Sequence, residues 1–227
     1  MGNFITLEGG EAAGKTTQAL LLASALRRRG YFVYNTREPG GCAGADLLRE
    51  ILLNGSMEWS PSAETLLHFA ARAEHCAKVI RPTLNSGMWV ISDRFYDSTM
   101  AYQGYGQGAD RNLIAEQTRL LGLDPDLTLI LEVSPAVAIN RLAKRAGTPD
   151  RYERKDPLFH SRVAEGYRLI AHANPDRCAI IGADADVDAV HASVMAAVMN
   201  TGDSAINAES LANFSSSSFF SSRTRCS

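Results

Sequence analysis

Gly9-Gly10-Glu11-Ala12-Ala13-Gly14-Lys15-Thr16 fits G-x-x-x-x-G-K-S/T, and its flanks narrow the choice of folds more than anything else in the chain. An apolar run, Phe4 to Glu8, leads into it. After Lys15, the residues Ala19, Leu22, Ala23 and Leu26 recur with helical spacing until Gly30, a helix-ending glycine. Strand, glycine-rich turn and helix in that order make a phosphate cradle. Glycines let several backbone N–H groups converge on phosphate oxygens, and the helix N-terminus adds partial positive charge. Gly9, Gly10, Glu11, Ala12, Ala13 and Gly14 form the cradle. Lys15 is placed to meet the β- and γ-phosphates, Thr16 offers a hydroxyl to Mg²⁺, and Thr17 reaches the α-phosphate. The implied ligand is ATP or a similar nucleoside triphosphate.

Other short apolar runs, Tyr31 to Thr36, Met88 to Asp93, Leu127 to Val133 and Cys178 to Ile181, read as further strands. Between them lie helical patterns at Ala43 to Leu53, Ala63 to Ser86, Leu113 to Leu121, Pro135 to Arg145, Pro157 to Ala173 and Val187 to Met199. Alternation of this kind predicts a three-layer α/β/α fold on a five-stranded parallel sheet, with ligands at the carboxyl ends of the strands. A single domain over residues 1–200 is expected. The Ser-rich segment 201–227, with its run Ser215 to Ser218, has no periodicity and is expected to be disordered.

Charge and cysteine content exclude several classes. The 23 basic and 25 acidic residues leave no basic excess for a nucleic-acid partner, and no apolar run is long enough to span a membrane. Four scattered cysteines without a C-x-x-C pair, and no signal-peptide pattern, fit a reduced, cytoplasmic setting.

A phosphate loop alone serves many enzymes. No N-K-x-D guanine motif occurs, and no second lysine stands at the start of the loop. Trp89-Val90-Ile91-Ser92-Asp93-Arg94 is a buried strand ending in a carboxylate, suited to holding Mg²⁺ or its water; Glu132, after Leu127 to Leu131, ranks second for that role.

With these motifs in order, the chain resembles bacterial thymidylate kinases over about residues 3 to 200. The resemblance rests on Glu8-Gly9-Gly10-Glu11 with the phosphate loop, Thr36-Arg37-Glu38-Pro39-Gly40-Gly41, Phe69-Ala70-Ala71-Arg72, Asp93-Arg94 with Ala101-Tyr102-Gln103-Gly104, and Asp150-Arg151-Tyr152-Glu153. It implies transfer of the ATP γ-phosphoryl group to dTMP with Mg²⁺, in a homodimer. By that resemblance Arg37 and Arg94 clamp the acceptor phosphate, and Glu11 receives the sugar 3′-hydroxyl. Phe69 stacks on thymine, Arg72 donates to its O4, Ser98 or Thr99 and Gln103 complete the base contacts, and Tyr102 fills the space of a 2′-hydroxyl. Read from spacing alone, Phe69 fits a helix core equally well, Arg72 a surface arginine, and His68 and His75 solvated or packing residues. Gly104-Tyr105-Gly106-Gln107-Gly108 reads as a flexible loop.

Arg141, Lys144, Arg145 and Arg151 surround Gly147-Thr148-Pro149, a basic segment with a hinge that looks like a lid over about residues 141–155. The phosphate loop carries Ala12 and Ala13 and no arginine, so a cation for the transferring group is expected from the lid, with Arg145 and Arg151 as candidates. Two rival activities remain at this level: a deoxynucleoside kinase, which the two clamp arginines argue against, and a switch that hydrolyses ATP without an acceptor.

Overall fold

The computed structural model describes residues 2–53, 57–145 and 151–205, the last five of them as backbone only. Five parallel strands form one sheet: β1 (Phe4–Gly9), β2 (Val33–Arg37), β3 (Trp89–Asp93), β4 (Leu127–Glu132) and β5 (Cys178–Gly182), in the order β2-β3-β1-β4-β5. β1 is buried along its whole length because helices cover both faces, which is why it reads as a continuous apolar run rather than an alternation. The pleat still sorts its side chains. Ile5 and Leu7 pack with α1 (Lys15–Arg28) and with Val190 and Val194 of α9 (Val187–Ala205), while Phe4 faces the opposite layer with Val90 and Phe95. The predicted five-stranded, three-layer architecture is the one observed.

The remaining helices are α2 (Ala43–Leu53), α3 (Pro61–His75), α4 (Arg81–Asn85), α5 (Tyr96–Thr99), α6 (Arg111–Leu121), α7 (Pro135–Lys144) and α8 (Pro157–Ala173). The expected helix from Ala63 to Ser86 begins earlier, at Pro61, because Ser60 caps it through a bond from the Ala63 N–H. It runs through a π-helical stretch, Cys76–Ile80, into α4.

The segment expected to be a flexible loop is built otherwise. Met100–Gly106 is a buried π-helical continuation of α5, and its glycines are there for close packing. A Cβ on Gly106 would stand 2.6 Å from the ring of Phe159, and one on Gly166 of α8 would stand 2.8 Å from Tyr105. Pattern reading missed this because Gly106 serves contact with α8 and Gly104 contact with α6 rather than chain flexibility; Gly108, past the helix at φ +78°, meets nothing within 4 Å.

Register brings the chemistry to one edge. Asp93, the last residue of β3, lies beside Leu7 on one side and Arg37, the last of β2, on the other. Glycine 147 to proline 149, aspartate 150 and the Ser-rich run from 215 lie outside the described residues.

Candidate active site

At the carboxyl ends of β1, β2 and β3 opens a cleft of about 750 Å³. Seven basic side chains line it against four acidic ones, so it suits an anion although the whole chain is slightly acidic.

The phosphate loop forms its floor. Lys15 Nζ donates to the carbonyls of Gly9 (3.1 Å) and Gly10 (2.7 Å), and burial, helped by the Arg94 charge, lowers its pKa to about 8. Gly14 stands at φ +92° at the start of α1, a conformation that suits glycine, and Ala12 is left-handed as well, at φ 55°. Thr16 Oγ1 donates to Asp93 Oδ2, so the two oxygen ligands expected for Mg²⁺ lie together. Glu132, the second-ranked carboxylate, does not line the cleft and pairs with Arg168 at 2.5 Å.

Arg94 is the hub of the wall. It is a non-glycine residue at φ 73°, a strained backbone position of the kind that gathers at functional sites. Its Nη2 donates to Glu11 Oε1 (3.0 Å) and Tyr102 Oη (3.1 Å), and its Nη1 to Ser98 Oγ (3.1 Å) and the Gly9 carbonyl (3.2 Å). Burial alone would raise the Glu11 carboxyl, but Arg94 and Lys15 outweigh it and hold it at about 2. Beneath them Glu8 is fully buried. It accepts from the Phe95 N–H (2.7 Å), Ser98 Oγ (2.5 Å) and Tyr167 Oη (3.1 Å). Burial and the neighbouring Asp97 charge push its pKa up to about 7.

The inner face of α3 carries Glu64, His68, Arg72 and His75, spaced four, four and three apart and all buried. Arg72 Nε pairs with Glu38 (2.6 Å) and Nη2 donates to the Phe95 carbonyl (3.1 Å). Arg72 is thus not a surface arginine. His75 bridges Glu38 and Thr36 through its two ring nitrogens, and Gly41 is required beside it, since a Cβ there would fall 2.4 Å from Nε2. Phe69 departs from expectation. Its ring lies one step round the helix, in the core with Ile80 and Phe95, and it lines an outer groove instead of the cleft. The residue at the cleft is His68, one turn before Arg72 on the inner face of α3.

The thymidylate kinase family matches residues 7–194. The chain belongs to that family. It is 50% identical over 196 residues to a thymidylate kinase of Caulobacter vibrioides, covering 85% of this chain and 94% of that one, and 49% identical over 201 residues to one of Gluconobacter oxydans, covering 87% and 94%. A crystal structure of thymidylate kinase from Ehrlichia chaffeensis superposes with a TM-score of 0.72 at 37% identity, covering 87% of this chain and 98% of that one.

Within this thymidylate kinase frame the two lid candidates part. Arg145 lines the cleft and pairs with Glu153 at 2.5 Å. Arg151 does not line it: Nη2 lies 2.7 Å from buried Glu64, and Nη1 donates to the Leu52 carbonyl. Arg37, Thr17, Ser98, Thr99, Tyr102 and Gln103 are all at the cleft, although Ser98 is committed to Glu8 and Gln103 donates to Glu64 (2.8 Å) and Tyr152 (3.1 Å). Arg49, Arg141, Glu38 and Tyr152 line the cleft as well, and Glu64 lies buried behind it. Arg141 is signalled in the sequence by the basic lid segment, Glu38 and Tyr152 by the motifs that contain them, and Glu64 by the polar stripe on α3; nothing in the sequence singles out Arg49. Arg141 reaches the cleft from α7 and donates to the carbonyls of Ala183 (2.8 Å) and Ala12 (3.3 Å).

The donors fit Mg²⁺. A threonine hydroxyl and a carboxylate are hard oxygen ligands, and this ion takes one or two protein ligands and fills the rest with phosphate and water. The described residues hold no cluster of three or more His, Cys, Asp or Glu suited to a softer, fully protein-bound metal.

Proposed function

We propose that this chain carries out the reaction of its family, transfer of the ATP γ-phosphoryl group to dTMP, with both phosphates seated between Lys15 and Arg94. The carrying observation is that the phosphate loop, the Thr16–Asp93 contact, Arg37 at the end of β2 and Arg94 just after β3 open on one cleft. Two anionic phosphates repel each other, so the chain must neutralise and align them, and that is most of what catalysis requires here. Lys15 and the loop N–H groups hold the donor. Arg37 and Arg94 hold the acceptor phosphate, with guanidinium geometry giving direction as well as charge. Glu11, ionised and fixed by Arg94, accepts from the sugar hydroxyl. Tyr102, ringed by Arg94 and Glu11, stands where a 2′-hydroxyl would come. Arg72 faces the base edge. Thr16 and Asp93 would hold Mg²⁺, which when bound would neutralise negative charge on the donor phosphates. Arg145 is the lid cation for the transferring group, and Arg151 serves to neutralise Glu64.

The reading extends to a cytoplasmic homodimer. Cys42, Cys76 and Cys178 are free thiols, and no helix of the described residues is long and apolar enough to cross a membrane. An outer groove between α3 and α6 is lined by Leu66, Ala70, Ala73, Ala77 and Leu120, with Leu66 and Leu120 exposed, which supports self-association there. Sedimentation of wild type and Leu120→Glu tests it: the variant is expected to shift to monomer.

Assay of the purified protein with ATP, Mg²⁺ and either dTMP or thymidine tests the activity. Formation of dTDP from dTMP is expected. Turnover of thymidine alone would replace the reading with a deoxynucleoside kinase, and ADP release independent of dTMP would replace it with a hydrolytic switch.

A further inference from the structure

Arg94 is held from two sides. In front, Glu11 and Tyr102 accept from Nη2 at 3.0 and 3.1 Å. Behind it, Nη1 donates to Ser98 Oγ (3.1 Å) and Tyr167 Oη (3.4 Å), and both hydroxyls donate onward to one oxygen, Glu8 Oε2, at 2.5 and 3.1 Å. The other oxygen, Oε1, accepts from the N–H of Phe95 at 2.7 Å. One carboxylate thus reaches Arg94 twice, through the peptide that follows it and through the hydroxyls that receive its guanidinium.

Packing gives no reason for a carboxylate there. Glu8 has no exposed surface, and an apolar side chain would fill that place in β1 without the cost of burying a charge. The direct ion-pair partner of Arg94 is Glu11, and Glu8 stands one hydroxyl further back. Arg94 also stands at φ 73°, a conformation that persists only where the surroundings hold it. Three bonds hold it: Arg94 N–H to the Leu7 carbonyl (2.9 Å), Ser92 Oγ to the Arg94 carbonyl (2.7 Å), and Phe95 N–H to Glu8.

Resting on the dTMP reading above, we propose that Glu8 is the positioning residue that aims Arg94 at the acceptor phosphate, through the Phe95 N–H and through the hydroxyls of Ser98 and Tyr167.

The hydrogen-bond directions carry the argument. Each hydroxyl has a single hydrogen. Ser98 gives its hydrogen to Glu8, which leaves the lone pairs of Oγ for Arg94. Tyr167 Oη, 2.9 Å from Ser98 Oγ, turns its own hydrogen toward Ser98 and Glu8 and likewise presents a lone pair to the guanidinium. Without negative charge at Oε2, either hydrogen is free to swing toward Arg94 and push the guanidinium off its seat. Arg94 then keeps its charge and loses its direction. Glu8→Gln is the matching probe. Its amide oxygen can still take the Phe95 N–H, but its NH₂ group then meets Ser98 and Tyr167 with donors where the carboxylate has an acceptor.

The test compares dTMP with thymidine, which lacks the phosphate that Arg94 holds. It uses the full chain at about pH 8, above the value of about 7 to which burial and the Asp97 charge raise the Glu8 carboxyl, so that Glu8 is ionised. Glu8→Gln is expected to lower kcat/KM for dTMP by roughly 10- to 100-fold, with KM for ATP and the calorimetric affinity for thymidine unchanged. In an Arg94→Lys background, which has no fork to aim, adding Glu8→Gln is expected to change kcat/KM by less than about twofold. A general structural defect would weaken ATP and thymidine as well, or lower the rate by the same factor in both backgrounds, and either result overturns the inference. Wild-type turnover of dTMP by Glu8→Gln overturns it too. Should Glu8→Gln not fold, Tyr167→Phe takes its place, removing one of the two relaying hydroxyls. It is expected to lower kcat/KM for dTMP roughly 3- to 10-fold, and only where residue 94 is arginine. A wild-type protein inactive on dTMP would instead overturn the function on which the inference rests.

Discussion

Arg94 Nη2 donates to Glu11 Oε1 across 3.0 Å, joining the end of β3 to the turn after β1. Tyr102 Oη donates to the same carboxylate oxygen at 2.6 Å, so a guanidinium, a carboxylate and a phenol lock one another in place. The Arg94 guanidinium is therefore a preoriented fork, its direction fixed by five hydrogen-bond partners, Gly9, Ser98, Tyr167, Glu11 and Tyr102, rather than by its charge alone.

Arg94→Lys keeps the charge and removes the fork. Lysine cannot reach Glu11, Tyr102 and Ser98 together, and a point charge orients a phosphate less well. Turnover with dTMP and ATP is expected to fall by roughly 100-fold or more, with a much smaller change in ATP affinity. Unchanged turnover would remove Arg94 from the clamp.

Arg145 and Arg151, six residues apart, are expected to fail in different ways. Arg145 faces the cleft with more than half its side chain exposed, so Arg145→Ala is expected to fold normally and lose roughly 10³-fold in kcat. Arg151 neutralises Glu64, whose side chain is fully buried. Removing one partner of such a pair costs about 3–5 kcal/mol, so Arg151→Ala is expected to show mainly a lower Tm. Thermal melts and single-turnover rates on the two proteins separate the roles.

The difference between these arginines was not legible in the sequence, where both belong to one basic segment. What was legible is what local chemistry dictates. Gly9 to Thr16 between strand and helix, and Asp93 at the end of an apolar run, each need only their neighbours to be understood. Phe69 and His68 show the other case. The choice between them depends on which face of α3 meets the cleft, and that is set by the packing of Ile80, Phe95 and Ile114 far along the chain. Glu8 was hidden for a similar reason: its partners Ser98 and Tyr167 come from 90 and 159 residues away.

Ala12 occupies a left-handed position, φ 55°, in the phosphate loop. A Cβ there costs about 1–2 kcal/mol, part of which glycine would lose again through its freer unfolded chain. Ala12→Gly is expected to stabilise the protein by about 0.5–1 kcal/mol and to raise Tm by a few degrees. A drop in Tm on differential scanning calorimetry would mean that the methyl group makes a contact that outweighs the backbone strain.

His68 also sets part of the acid response. Its pKa in the folded protein is lowered to about 3 from an ordinary 6.5, so between those values the unfolded chain binds a proton that the folded one does not. Its contribution to stability is complete above pH 6.5 and shrinks as pH falls toward 3, by about 1.4 kcal/mol per unit. Glu8 works in the opposite sense, because its carboxyl, raised to about 7, favours the folded state increasingly as pH falls from 7 to 4.5. Comparing wild type with His68→Phe cancels the Glu8 effect. The variant's denaturant midpoint is expected to fall less between pH 7 and pH 5, the gap amounting to about 2 kcal/mol. Parallel curves would mean that His68 is protonated in the folded cleft, and the neutral ring would have to be abandoned.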